Sequence, residues 1–143
     1  MGKRLRLFAR LFAHSPPGRW PALGWYLLAT AIRKATGLVL LREAVLCFDG
    51  IRILADTEGR VGLGFIEEIL FDGEYQRLPR GQVVFDAGAN CGYFALARCL
   101  QDPEARVWCF EPHPGTYRTL ARNVVLNGLG GRVIAVHRSE EHT

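Results

Sequence analysis

Two short apolar runs, each followed by an acidic residue and a helical pattern, constrain the fold of this chain more than any other feature. The first run is Gln82–Phe85, which Asp86 follows, and the second is Arg106–Phe110, which Glu111 follows. Such short continuous runs are typical of parallel strands that are buried on both faces. Because strands and helices alternate, we predict an α/β domain with a parallel sheet.

A glycine-containing loop joins the first strand to its helix. The loop Ala87–Gly92 precedes a helical pattern over Tyr93–Leu100. Gly88 and Gly92 lack a Cβ, so the chain can turn sharply there and a ligand can approach the backbone. The carboxylate of Asp86 suits a positive amino group, and the N–H groups at the start of the helix suit a carboxylate. The amino-acid end of S-adenosylmethionine has both groups.

The second strand and helix repeat this arrangement. Glu111 lies 25 positions after Asp86, where a carboxylate can accept hydrogen bonds from two ribose hydroxyls. A helix is predicted from about Thr116 to Asn127-Gly128, and Arg132–His137 is predicted as a third strand. The inner side of that helix is predicted to consist of Tyr117, Leu120, Ala121, Val124 and Val125.

Other cofactor classes fit the loop less well. A dinucleotide-binding loop has the pattern Gly-x-Gly-x-x-Gly, and Asn90 stands where its second glycine would be. A phosphate-binding loop needs Gly-Lys followed by Ser or Thr, which does not occur after Gly92. A dehydrogenase-type cofactor binder and an α/β unit without a ligand are the alternatives.

Three stretches of the sequence resemble one protein family. Val83–Phe94 resembles the first motif of FkbM-family methyltransferases, and Val107–Pro114 looks like the second. The helix end Asn123–Leu129 is similar to the family's next segment, so the resemblance covers roughly residues 80–137. It implies a Rossmann-like class I methyltransferase fold, and methyl transfer to a hydroxyl oxygen of a sugar, polyketide or similar small molecule.

The resemblance also implies roles for single residues. Asp86, Gly88, Asn90 and Gly92 would line the methionine end of S-adenosylmethionine, and Glu111 would bind its ribose. The family's sheet has more strands than the three predicted here, so we expect a domain truncated after about the third parallel strand. The alternative to an enzyme is a non-catalytic cofactor-binding fragment, or an adaptor for a membrane or a partner.

Neither a catalytic base nor a metal site can be assigned from the sequence. His113 and His137 are the candidates for a base, although a histidine in such a loop is more often structural. The four cysteines are not spaced as zinc ligands, and reduced thiols in the cytoplasm are the expectation for Cys47, Cys91, Cys99 and Cys109.

The missing strands would also affect stability. Without a fourth-strand neighbour, Val83–Phe85 would expose an unpaired apolar edge. We therefore expect the isolated chain to be marginally stable or prone to self-association.

The positive charge is concentrated at the N-terminus. Residues 1–45 hold eight basic residues and one acidic residue, a net charge of +7, whereas residues 46–143 carry a net charge of −3. This distribution argues against a nucleic-acid-binding protein. Residues 3–13 are predicted to form a basic amphipathic helix, with one apolar side made by Leu5, Phe8 and Phe12.

The N-terminal apolar stretches allow more than one interpretation. Arg33 and Lys34 interrupt the apolar run Trp20–Leu41, which makes it a poor membrane span. An extension packed on the domain, peripheral contact with an anionic membrane and a true membrane anchor are the alternatives. We expect a cytoplasmic protein, with membrane association under the second alternative.

The sequence is therefore divided into three segments. Residues 1–44 form the helical extension, and residues 45–79 form a lead-in. The lead-in comprises a hairpin over Val45–Ala55 that turns at Asp49-Gly50, and a helix over Leu63–Phe71 that ends at Gly73. Residues 80–143 form the first part of the cofactor-binding domain.

Overall fold

The structure, a computed structural model, describes residues 3–57, 63–71 and 78–138. The chain divides into two compact units, Met1–Glu67 and Glu68–Thr143. The segment boundaries expected after residues 44 and 79 stay predictions.

The N-terminal unit begins with two helices that meet at a fixed corner. Helix α1 spans Lys3–His14, a 3-10 turn spans Pro17–Arg19, and α2 spans Trp20–Thr36. The indole N–H of Trp20 donates to the carbonyls of Phe12 and Ser15, at 3.1 and 3.0 Å, which fixes the corner. Helices at the predicted positions are thus confirmed.

The predicted apolar side of α1 is not its buried side. Leu11 is fully buried, whereas Leu5 and Phe8 are exposed. The sequence pattern alone did not distinguish the two apolar sides of this helix.

The predicted hairpin is confirmed. Strands β1 (Glu43–Phe48) and β2 (Ile51–Asp56) are antiparallel, and the last pair is Phe48 with Ile51. Asp49 and Gly50 both have positive φ angles, 48° and 83°, as a tight two-residue hairpin turn requires.

Helix α2 packs on this hairpin through one side. Leu23, Tyr26 and Ala29 are buried, and the Tyr26 hydroxyl donates to the carbonyl of Asp56 at 2.9 Å. Among the described residues, no helix is both long and apolar enough to cross a membrane.

The helix predicted over residues 63–71 is confirmed, with a change of pitch. It consists of an α-helical turn, α3 (Leu63–Ile66), and a π-helical turn (Glu67–Phe71). The predicted helix end at Gly73 lies outside the described residues.

The C-terminal unit is a parallel sheet with two connecting helices, which confirms the α/β prediction. Its sheet order is β3-β4-β5. The elements in chain order are β3 (Val83–Ala87), α4 (Tyr93–Gln101), β4 (Arg106–Phe110), α5 (Pro114–Leu126) and β5 (Val133–Val136). Strand β3 is longer than expected, because Asp86 and Ala87 continue the pairing with β4.

The two faces of this sheet differ in burial. On one face, Val107 and Cys109 of β4 are fully buried under α4 and α5. On the other face, Val83 and Phe85 are 54% and 69% exposed, and Trp108 is partly exposed. In the described part of the chain, β3 forms an edge of the sheet, as expected for a first strand without its other neighbour.

A buried ion pair fixes the end of α4. Arg98 and Asp102 meet at 2.9 Å, and the Asp102 carboxylate also accepts the backbone N–H of Gly81 at 2.8 Å. The hydrogen bond from Gly81 contributes most to lowering the pKa of Asp102. Arg132, just before β5, donates to the carbonyl of Asp102 at 3.0 Å. These contacts hold the turn before β3 and the start of β5 at one point.

Candidate functional site

The glycine loop folds over the carboxyl end of β4. The backbone N–H groups of Gly88 and Ala89 both donate to the carbonyl of Phe110, at 2.9 and 3.0 Å. This brings the residues after β3 beside Glu111, the first residue after β4. The two acidic residues singled out in the sequence, Asp86 and Glu111, therefore lie close together at the carboxyl ends of β3 and β4.

Glu111 is held in place by the backbone. Its carboxylate is buried and accepts two N–H bonds, both of 2.9 Å, one from Asn90 and one from His113. Each bond goes to a different oxygen. Since a carboxylate offers about four lone-pair sites, one site on each oxygen is left for a ligand.

Asn90 connects the loop to Glu111 with its backbone N–H, and the oxygen of its side chain takes no part in this contact. Its φ angle is 51°, a left-handed conformation that asparagine tolerates better than most residues. Its side-chain Oδ1 is buried and has no hydrogen-bond partner among the described residues.

Asp86 carries the second orphaned oxygen. Its Oδ2 is buried without a hydrogen-bond partner among the residues that the structure describes. Burial, and secondarily the negative charge of Glu111, raise the pKa of Asp86 to about 6. A buried carboxylate oxygen without a hydrogen-bond partner is uncommon in native structures, and carboxyls with a strongly shifted pKa are enriched at functional sites.

The two glycines of the loop have different surroundings. A Cβ on Gly88 would point into open space, whereas a Cβ on Gly92 would lie 2.3 Å from Cδ1 of Leu120 in α5. Both residues have positive φ angles, 76° and 81°. Gly88 therefore leaves room beside the loop, and Gly92 is needed for the close approach of α4 and α5.

Asn123 supports the loop, a role that was not predicted from the sequence. Asn123 is fully buried in α5, and its amide Nδ2 donates to the carbonyl of Cys91 at 2.9 Å. The predicted inner side of α5 included Val125 instead, which is 77% exposed. A polar residue three positions after Leu120 was the available signal, but its partner lies 32 positions away in sequence.

The two histidines considered as bases have structural partners. Nδ1 of His113 accepts the backbone N–H of Thr116 at 3.3 Å and so caps α5. Nε2 of His137 lies 2.9 Å from the carbonyl of Pro112, and its ring packs against Tyr117. The structural interpretation of both histidines is thereby supported.

No family model matches the sequence. Curated relatives match parts of it, two methyltransferases among them. The chain is 31% identical over 94 residues to methyltransferase 1 of Beauveria bassiana, covering 64% of this chain and 38% of the relative. It is 41% identical over 78 residues to the 31-O-demethyl-FK506 methyltransferase FkbM of Streptomyces tacrolimicus, covering 52% of this chain and 30% of the relative. Over part of its length, the chain is therefore similar to methyltransferases, FkbM among them. It spans about a third of the length of these two relatives.

A solved structure shows the same fold. M. jannaschii TYW2 in complex with AdoMet superposes with a TM-score of 0.59 at 25% identity, covering 70% of this chain and 46% of that one. The Rossmann-like methyltransferase fold implied by the FkbM resemblance is thus confirmed.

Proposed function

We propose that the protein transfers a methyl group from S-adenosylmethionine to a hydroxyl oxygen of a small-molecule acceptor, such as a sugar or a polyketide. The observation that carries the proposal is the pair of orphaned oxygens, Oδ2 of Asp86 and Oδ1 of Asn90, beside the fixed carboxylate of Glu111. Buried polar atoms in native proteins are nearly always hydrogen-bonded. Two unbonded acceptors at the carboxyl edge of a parallel sheet therefore indicate a ligand that donates hydrogen bonds there.

Each residue fits one part of S-adenosylmethionine. Asp86 and Asn90 would accept hydrogen bonds from the amino group of the methionine end, and Gly88 leaves the space for it. The two remaining lone-pair sites of Glu111 match the two hydroxyls of a ribose. When bound, S-adenosylmethionine supplies an electrophilic methyl group. The residues of this chain hold and orient the ligand.

The relatives support the same chemistry. The name of FkbM gives its acceptor as an O-demethyl compound. That relative therefore transfers the methyl group to an oxygen of its substrate. The structure of M. jannaschii TYW2 contains AdoMet. A catalytic base is not assigned to His113 or His137, because both are engaged in structural contacts.

Calorimetric titration of the full-length protein with S-adenosylmethionine, and separately with NAD, tests the cofactor. We expect S-adenosylmethionine alone to bind. Asp86→Asn and Glu111→Gln should each weaken binding by about 10- to 100-fold, the usual range for loss of a charge-assisted hydrogen bond. Glu104→Gln, an exposed acid outside the site, is the matched control and should leave affinity unchanged. Binding of NAD alone would favour a dehydrogenase-type protein, and binding of neither would favour an adaptor.

The acceptor needs a separate assay. Isotopically labelled methyl groups should pass to hydroxylated sugars or polyketides, and the label should be found on oxygen by mass spectrometry of the product. Label on nitrogen or carbon, with normal cofactor binding, would contradict the hydroxyl acceptor and leave the cofactor assignment intact.

A further inference from the structure

Helix α2 has apolar residues on its exposed side as well as on its buried side. Every exposed residue from Trp20 to Ala31 is apolar, and the largest of these, Trp20, Trp25 and Leu28, are 45%, 48% and 51% exposed. A helix on the surface of a soluble domain normally has polar residues on its outer side. An apolar helix face of this kind indicates a surface that another layer covers. We call the exposed side chains Trp20, Trp25 and Leu28 the outer face of α2.

Helix α1 adds further exposed apolar side chains in the same unit. Leu5 and Phe8 are exposed although Leu11 is fully buried, so α1 is packed on one side and still exposes apolar groups on another. The corner formed by Trp20 and Ser15 fixes α1 relative to α2. The exposed apolar groups are therefore held on a rigid pair of helices.

The charged residues that these two helices and their flanks carry have a single sign, and Arg10 is paired with Glu67 from outside this segment. Residues 1–42 contain eight Lys and Arg residues and no Asp or Glu. Arg19 precedes α2, Lys34 lies in its last turn, and both are exposed, so cations stand at both ends of the outer face. Long basic side chains can reach lipid phosphates while apolar groups insert below them. Tryptophan is enriched at the same depth of a bilayer.

We propose that the N-terminal unit binds peripherally to an anionic lipid bilayer, with the outer face of α2 inserted among the headgroups. Arg6, Arg19 and Lys34 then contact lipid phosphates. A protein partner with a complementary surface would need a comparable excess of acidic residues, whereas anionic lipids supply that charge at any position. This inference is independent of methyl transfer.

Co-sedimentation of the full-length protein with vesicles tests the apolar part of the proposal. We expect binding to vesicles of equimolar phosphatidylcholine and phosphatidylserine, and weak binding to phosphatidylcholine alone. Replacing both Trp25 and Leu28 with Ser should lower the partition coefficient by about tenfold or more, because the inserted apolar area is lost. Val125→Ser changes an even more exposed apolar residue, on α5, and should have no effect.

The charge is tested with a second pair of variants. Replacing Arg19 and Lys34 with Gln should weaken binding to the anionic vesicles by about thirtyfold, at about 1 kcal/mol per cation. Arg118→Gln, an exposed cation on α5, is the control and should bind normally. Added salt should release the wild-type protein.

Several outcomes would overturn the proposal. One is a wild-type protein that stays in the supernatant with anionic vesicles at low salt. Another is unchanged vesicle binding by the Trp25/Leu28 double variant. A dimer in size-exclusion chromatography that this variant converts to a monomer, without vesicle binding, would assign the outer face to a second copy of the chain.

Discussion

At Asp86, the negative charge that would bind the cofactor lowers the stability of the ligand-free protein. Burial and the charge of Glu111 raise its pKa to about 6, so the folded protein favours the protonated carboxyl more than the unfolded chain does. The protonated form of Asp86 therefore favours folding. Its stabilising contribution is fully present below the ordinary pKa of an aspartate and is lost as the pH rises through about 6.

We predict that Asp86→Asn stabilises the ligand-free protein at neutral pH. The gain should be on the order of 1–2 kcal/mol, because the variant removes an uncompensated buried charge. The gain should disappear at about pH 4, where the wild-type carboxyl is largely protonated in the folded state. Denaturant unfolding at the two pH values measures the difference, with Glu104→Gln as the control. A variant that is less stable than the wild type at both pH values would contradict this explanation.

Among the elements, α4 and α5 approach each other most closely at Gly92. A Cβ at this position would lie 2.3 Å from a side-chain carbon of Leu120, and Leu120 cannot move aside easily because it is fully buried. Gly88 has the same backbone conformation without a neighbour in that direction. A comparison of alanine variants at the two glycines therefore separates the effect of backbone strain from the effect of packing.

We predict that Gly92→Ala lowers the free energy of unfolding by about 2–4 kcal/mol, from strain at positive φ plus overpacking. Gly88→Ala should lower it by only about 1 kcal/mol, from strain alone. Chemical denaturation of the two variants provides the comparison. Equal losses would show that Leu120 moves aside without cost.

The loop also depends on α5 through Asn123. Asn123→Leu should lower the free energy of unfolding by about 1–3 kcal/mol, because the buried carbonyl of Cys91 loses the hydrogen bond from the Asn123 amide. Cofactor affinity should fall as well, since the loop that carries Asn90 is less well fixed. Val125→Ala on the same helix is exposed and should change neither quantity. Normal stability of the Asn123 variant would mean that another donor reaches Cys91.

The sequence predicted elements better than it predicted contacts. The bounds of β4 agree with the prediction, because the run Arg106–Phe110 ends at an acidic residue that leaves the sheet. Strand β3 passes through Asp86, since an acid can stay in a strand when its backbone is paired. The burial of Asn123 in place of Val125 could not be predicted, because it depends on a carbonyl in a distant loop.

For the whole molecule, the uncovered sheet face is the main exposed feature of the C-terminal unit. Parallel sheets are normally covered on both faces, and here Val83, Phe85 and Trp108 are exposed on one of them. The grouping of Asp86 and Glu111 at the carboxyl ends of neighbouring strands was predictable from strand order alone. The burial of each face of the sheet was not predictable, because it depends on which other elements cover that face.

We predict that the isolated 143-residue chain self-associates through this face. Phe85→Thr, which keeps a good strand former at this position, should reduce the association and change stability by less than about 1 kcal/mol. Light scattering over a range of concentrations measures the association. Leu100→Thr, an exposed position on α4, is the control. A chain that stays monomeric at all concentrations would contradict the prediction.

The two backbone bonds to Glu111 have a kinetic consequence. Since Asn90 and His113 already fix both carboxylate oxygens, this side chain loses little rotational freedom when a ligand arrives. Its ordering takes place when the chain folds and not at the encounter with a ligand. The proposed capture of a ribose by this carboxylate should therefore be fast, with a rate that follows the concentration of the ligand.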